Sequence, residues 1–228
     1  LRDVVRRLYR MDEALAAAEA AVRVDPGNVR WRAPLAQILV DLDRTDSARA
    51  VLLDALALAP DDVESHLALA HILLAEGDYG PGWREYEWRF RGEAQRKALP
   101  PIRRPFWNGM ALPGHRILLG ADQGFGDAFQ FARFIPWVAA RCAGVVLLCR
   151  EPQVRLLSAM PGVEACVTDI TQAGPHAAFC WLGSLPGLVG VTPDTIPAAP
   201  YLPVDPRRRL AWRVRMAGLE GLRVGLCW

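Results

Sequence analysis

"LLGADQGFGDAFQFARF", residues 118–134, sets an apolar run against an amphipathic one, with glycines and aspartates in the loop between them. A short buried-strand signal followed by a glycine-containing loop and a helical period is the opening of a strand–helix unit. In open parallel sheets ligands bind beyond the C-terminal strand ends, and this first loop is the usual contributor. Gly124 and Gly126 lack a Cβ, which would let the backbone turn tightly and approach a bound group. The dinucleotide fingerprint is matched only in part: Phe129 holds its third glycine position, and Asp127 stands where a helix N-terminus would otherwise attract a pyrophosphate. A carboxylate there repels a second anion. Asp127 therefore has three readings. It is a first-turn residue stabilised by the helix dipole by about 0.3–1 kcal/mol, a general base for an attacking hydroxyl, or a metal ligand whose suitably spaced companion is Asp122.

The same alternation continues outward. Residues 116–121, 144–150, 163–168 and 177–182 read as strands, and 127–142 and 152–160 as helices, the first bent by Pro136. Strands and helices alternating at short separations predict a parallel sheet with crossover helices. The Pro- and Gly-rich stretch 183–206 is a long loop of the kind that lines sites. Residues 207–218 close the unit as a surface helix whose Arg207–Arg209 cluster is a solvated helix start. His176 reads as a solvent-side loop residue.

Upstream, Pro100, Pro101, Pro105 and Pro113 mark residues 93–115 as a linker. Before it lies an internal repeat of 34 residues: Pro26 aligns with Pro60, Arg10 with Arg44, Asp12 with Asp46 and Ala14 with Ala48. Each unit predicts two antiparallel helices with small residues where they cross. The candidates are Ala14 and Ala21, then Ala36, Ala48 and Ala55, then Ala70 and Gly82. Pro34 should delay or kink its helix. Counting back from Pro26, Leu1 falls partway along a helix, so the first unit is expected to be incomplete and further repeats to precede it. The last helix places Trp83, Tyr86, Glu87 and Phe90 on one side, a face expected to pack against the next domain. His66 and His71 read as ordinary helix residues, since five positions apart they share no face for a metal.

Composition excludes several classes. A formal net charge of +2 over 228 residues gives no field that argues for nucleic acid or anionic lipid. Five cysteines form an odd set with no Cys-x-x-Cys pair, which suits buried thiols in a reducing compartment and argues against structural zinc. No apolar run is long enough to span a membrane and the N-terminus is charged, so a cytoplasmic location is expected.

Residues 1–92 resemble the tetratricopeptide-repeat family, although the large aromatic usual near the start of each unit is missing. That resemblance implies a concave groove that takes a protein or peptide. Residues 79–228, through "GDYGPGWREYEWRFR", "RPFWNG", "DQGFGDAFQFARF", "GSLPGLVGVTPDTIP" and "LRVGLCW", resemble the N-terminal domain of family 9 glycosyltransferases, the heptosyltransferases, and the glycosyltransferase-like domain that follows tetratricopeptide repeats in many bacterial proteins. The order of parts is also similar to family 41, the protein O-GlcNAc transferases. The expected fold is α plus α/β, helical repeats followed by a Rossmann-like parallel-sheet domain that forms the acceptor-side half of a GT-B enzyme. The implied chemistry is inverting transfer from a nucleotide-sugar donor to a hydroxyl on a glycan or protein acceptor, with no metal and no further cofactor. Gly126-Asp127 matches the pair whose Asp is the proposed base in the heptosyltransferases. Gln123, Gly124, Phe125 and Gly126 would wall the acceptor site, with Gln130 and Arg133 further along the helix. For Arg133 an ion pair that holds the helix is the competing role. The acidic residue frequent before the fourth strand of that family is absent from "PHAAFCWLG". The Rossmann-like part is placed at 116–221, and 222–228 as the opening strand of a second, donor-binding domain. Without that domain the chain is expected not to transfer sugar. The alternative is a non-catalytic repeat scaffold for protein–protein interaction.

Overall fold

The structure, a computed structural model, describes residues 10–221 and 224–225. Its N-terminal part is an array of antiparallel helices: α1 (Met11–Val24), α2 (Arg32–Asp41), α3 (Thr45–Leu58), α4 (Val63–Ala75) and α5 (Tyr79–Tyr86). The repeat is visible in their ends. Helix α3 begins and ends one 34-residue period after α1 (11 to 45, 24 to 58), and α5 begins one period after α3 (45 to 79). Start signals recur with the same period: Asn28 Oδ1 accepts from the Arg30 amide at 3.2 Å, and Asp62 Oδ2 from the Ser65 amide at 2.9 Å. The turn after each first helix needs a left-handed residue, supplied by Asp43 (φ 61°) and then by Gly77 (φ 85°). Pro34 delays its helix as expected. Residues Val29–Trp31 form a 3₁₀ turn and α2 starts at Arg32, whereas α4 starts at Val63, the periodic equivalent of Val29. A proline has no N–H for the carbonyl four residues back and its ring crowds that carbonyl, so α-geometry begins only where Pro34 falls in the first turn.

The small residues stand at the crossings. Ala36, Ala48, Ala55 and Ala70 are at most 1 % exposed, and Gly82 is buried. Ala14 and Ala21 are only half-buried. Around the alanines, Leu35, Leu39, Leu52, Leu69, Ile72 and Leu73 form one continuous core.

The C-terminal part is a parallel sheet of β1 (Leu112–Gly120), β2 (Cys142–Leu148), β3 (Val163–Val167) and β4 (Ala178–Trp181) in the order β3-β2-β1-β4. Alternate residues divide between its faces. Ile117, Leu119, Val145 and Leu147 join a large core with residues of helices α7 (Phe125–Phe131), α8 (Ile135–Ala139), α9 (Glu151–Leu157) and α10 (Leu185–Val189). Leu118, Val146 and Val167 face the other way, onto a smaller cluster that includes Ile102, Ile170 and Phe179. The helix expected over 127–142 is broken into α7, a 3₁₀ turn at Ala132–Phe134, and α8, with Pro136 in the first turn of α8, where its missing N–H costs nothing.

Residues 93–115 are built into the fold. Glu93–Ala98 forms the short helix α6, and β1 already begins at Leu112, with a shift in register before Arg116 beside Gly114 (φ 77°). Proline and glycine at 113–114 hid that start, because both weaken a strand signal. The chain also runs along the open edge of β4: the Trp107 amide donates to Phe179 O at 2.7 Å and the Phe179 amide to Pro105 O at 3.1 Å. Trp107 is 2 % exposed in the main core. A final helix, α11 (Pro206–Met216), has no buried residue, as expected of a solvated surface helix. The strand expected over 222–228 lies outside the described residues, apart from 224 and 225.

Gly82 offers a direct check on the crossing of α4 and α5. A Cβ there would stand 2.8 Å from Leu74 Cδ2 and 3.2 Å from the Leu74 amide nitrogen, while at Gly80 it would find only the Arg84 guanidinium tip at 3.8 Å. Overpacking outweighs the gain in helix propensity at the first site and is absent at the second. In urea denaturation Gly82→Ala is expected to lose about 1–3 kcal/mol and Gly80→Ala to lose nothing. Equal effects would mean that the helices do not cross where described.

Candidate functional site

The order β3-β2-β1-β4 puts the topological switch point between β1 and β4, flanked by the loops that follow these two strands. Those loops are 121–124 and 182–184. In this fold the crevice between them is filled by the repeat array. Arg89, 6 % exposed, sits there with Nε donating to Asp122 Oδ2 at 3.2 Å. Its other nitrogens donate to Tyr86 O at 3.0 Å, Glu87 Oε1 at 2.6 Å and Ser184 Oγ at 2.8 Å. Asp122, with its side chain 2 % exposed, also accepts from the Gly183 amide at 3.2 Å through Oδ1. Ser184 Oγ donates in turn to Glu87. One guanidinium thus ties both switch-point loops to the third repeat unit. Its ring neighbours complete the socket, with the Arg89 Cζ 3.9 Å from the Phe90 centroid and 4.5 Å from that of Tyr86.

Sequence reasoning missed Arg89 because it extended one α-helix through residue 93. The segment Glu87–Arg91 is 3₁₀. At three residues per turn Arg89 comes to lie directly below Tyr86, whereas α-geometry would swing it aside. The aromatic face itself is as expected. Trp83 packs edge-on against Phe131 of α7, centroids 5.8 Å apart, and Phe90 stacks on Trp181 at 6.4 Å. Gly120 makes room for Trp181, whose ring atoms would lie 2.2 Å from a Cβ at that position. His66 is more engaged than an ordinary helix residue, stacked on Trp88 at 3.6 Å and bonded through Nε2 to Pro60 O at 2.8 Å.

Asp127 occupies the third position of α7, where its Oδ2 accepts from the Gly124 amide at 3.1 Å. It is half-buried, and among the described residues no donor reaches Oδ1. The first-turn role is therefore filled by one oxygen, and the other is left at the C-terminal rim of the sheet. Pairing with Arg89 takes up Asp122, the companion that the metal reading of Asp127 required. The tight turn expected of the two glycines is not there. Gly124 is extended (φ −70°, ψ 179°), a conformation any residue adopts, and a Cβ on Gly126 would meet nothing within 4 Å.

The neighbouring candidates are partly brought together. Gln123 Nε2 hydrogen-bonds Tyr86 Oη, so it braces the repeat junction. Phe125 is 41 % exposed, with its ring 6.4 Å from Phe129 and the Arg150 guanidinium 5.7 Å above it. Gln130 is exposed and lends its carbonyl to Arg133 Nε at 2.9 Å. Arg133 makes no ion pair among the described residues. It reaches Tyr201 Oη at 3.3 Å and lies 4.8 Å over that ring, fastening the 3₁₀ turn after α7 to the long loop. His176 is remote, at the opposite end of the sheet in a cleft with Arg104, His115, Arg116 and Glu164, and its Nδ1 bonds Gly174 O at 2.8 Å.

Comparison with known proteins adds to this geometry. A tetratricopeptide-repeat family model matches residues 8–72, and the helical array is a tetratricopeptide-repeat domain. Protein FlbA of Caulobacter vibrioides is 29 % identical over 194 residues, which cover 75 % of this chain and 32 % of that protein. The chain thus spans about a third of the length of this curated relative. Among solved structures, a mutant O-GlcNAc transferase of Thermobaculum terrenum aligns with 70 % of this chain and 32 % of its own at 19 % identity, with a TM-score of 0.35. Among the described residues no helix is long and apolar enough to cross a membrane.

Burial pushes the Tyr86 phenol above its ordinary value of 10.0, with Asp122 and Asp127 adding to the shift and the Gln123 bond and Arg89 opposing it. A phenol whose folded value is raised favours the folded state fully below pH 10 and loses that contribution as pH climbs through the folded value, because the unfolded chain releases the proton first. Stability should therefore fall above pH 10, and Tyr86→Phe should fall less steeply over the same range. Superimposable alkaline profiles for the two proteins would contradict the burial of this phenol at the junction.

Proposed function

We propose that this chain is the repeat-bearing, acceptor-side part of a glycosyltransferase, in which Asp127 takes the proton from the acceptor hydroxyl. The observation that carries the reading is the state of its carboxylate. One oxygen is fixed by the Gly124 amide, so its direction is set, and the other, at the rim of the sheet, is unengaged among the described residues. A base must be held by the fold and still have a lone pair to offer. Gly126 supports the same reading. It stands in the first turn of α7 with nothing within 4 Å of a Cβ, so packing gives no reason for glycine there. Space beside the carboxylate is what that omission provides. The donor would be a nucleotide-sugar, and Gln130, Arg133 and Phe125 would line the approach to Asp127. Tetratricopeptide repeats commonly mediate protein interactions, and here they would deliver a protein or glycan-bearing acceptor. Neutralising the leaving diphosphate and excluding water would fall to a donor-binding half.

A second reading, a repeat scaffold without catalysis, is favoured by one feature: Arg89 fills the crevice in which sheets of this order hold ligands. The two readings part at Asp127. In the intact protein that contains this chain, Asp127→Asn is expected to lower sugar transfer by about 100-fold or more, with circular dichroism and melting unchanged because an amide oxygen still accepts from Gly124. Full activity in Asp127→Asn, or no nucleotide-sugar turnover by the intact wild-type protein, would leave the scaffold reading.

A further inference from the structure

Away from Asp127, a groove of about 580 Å³ opens between helix α6, the chain that follows it and the outer side of β4. Its walls are aromatic. Phe90 and Trp181 stack at 6.4 Å, Phe179 stands edge-on to Trp181 at 5.8 Å, and Phe106 edge-on to Phe179 at 5.4 Å. Phe106 is 43 % exposed at the mouth although it is large and apolar. The remaining lining contributes Arg96 and Lys97 and no carboxylate. Lys97 is shared with Glu93 on the exposed surface of α6, a contact worth little in water, and no carboxylate pairs with Arg96 among the described residues. Residues 91–104, RGEAQRKALPPIRR, carry five cations and one carboxylate, and of these cations Arg96 and Lys97 line the groove.

Rings that are partly open to solvent beside Arg96, to which no carboxylate is paired among the described residues, and Lys97, held only by an exposed contact with Glu93, fit a ligand with a flat π-face and an attached anion. The size of the groove suits a single base with its phosphates. We infer that this groove binds a nucleoside diphosphate, the base against Phe106 and the aromatic wall, the phosphates at Arg96 and Lys97. The site lies on the face of the sheet opposite α7 and Asp127, so it stands independently of the transfer reaction proposed above.

The experiment is calorimetric titration of the 228-residue chain with ADP, adenosine and inorganic pyrophosphate. ADP is expected to bind saturably, and each of its two halves at least about tenfold more weakly. Phe106→Ala should weaken ADP by about fivefold or more, and Arg96→Ala should weaken it less at high salt than at low salt. Both side chains are exposed, so circular dichroism of the variants should match the wild type; Leu53→Ala, exposed on α3 far from the groove, should bind as the wild type does. Absence of ADP binding at millimolar concentration overturns the inference, as does binding that Phe106→Ala leaves unchanged. Affinity for oligoadenylate that rises steadily with length would overturn it in favour of a single-stranded nucleic acid.

Discussion

The ion pair of Arg89 with Asp122 is the constraint on which the rest of the structure depends. Each charge alone would lose several kcal/mol on leaving water. The loss is offset because every group is answered: the guanidinium by Asp122, Glu87, Ser184 and the Tyr86 carbonyl, the carboxylate by Arg89 and the Gly183 amide. Such a network tolerates little displacement, since removing one member leaves a buried charge without its partner. It therefore fixes the last repeat unit against the sheet. Around it the apolar contacts of Trp83 with Phe131 and of Phe90 with Trp181 supply area and exclude water.

Filling the switch point has a consequence for chemistry. A doubly wound sheet ordinarily offers that crevice to a ligand, and here a side chain from another part of the fold occupies it. What remains for binding is displaced to either side. On one side is the rim of α7, where one Asp127 oxygen has no partner among the described residues; on the other is the aromatic groove behind β4. The repeats are then more than an appended adaptor, because Tyr86, Arg89 and Phe90 take part in shaping both places.

The period of the repeat array was legible in the sequence. A period of 34 in prolines and alanines reappears as the spacing of helix ends, caps and left-handed turns, because each is dictated by local chemistry that the sequence displays. The strands were legible for the same reason, through short apolar runs bounded by breakers. The start of β1 was not, since Pro113 and Gly114 mimic a loop, and neither was the chain from Pro105 to Trp107, whose pairing with β4 is a contact distant in sequence. At the candidate site, Asp127 was singled out by its position after the first strand. Arg89, Asp122 and Ser184 come together from separate segments and only because a helix tightens to 3₁₀ at Glu87, a change of about 20° per residue that periodicity does not reveal.

The most direct measurement is a double-mutant cycle on the buried pair, with urea unfolding of the wild type, Arg89→Ala, Asp122→Ala and the double variant. Each single change should lose about 3–5 kcal/mol by stranding a charge, and the double variant should lose about 2 kcal/mol less than the sum of the two. Losses that add to within about 0.5 kcal/mol would show that the two side chains do not meet, and that something else holds the repeats to the sheet.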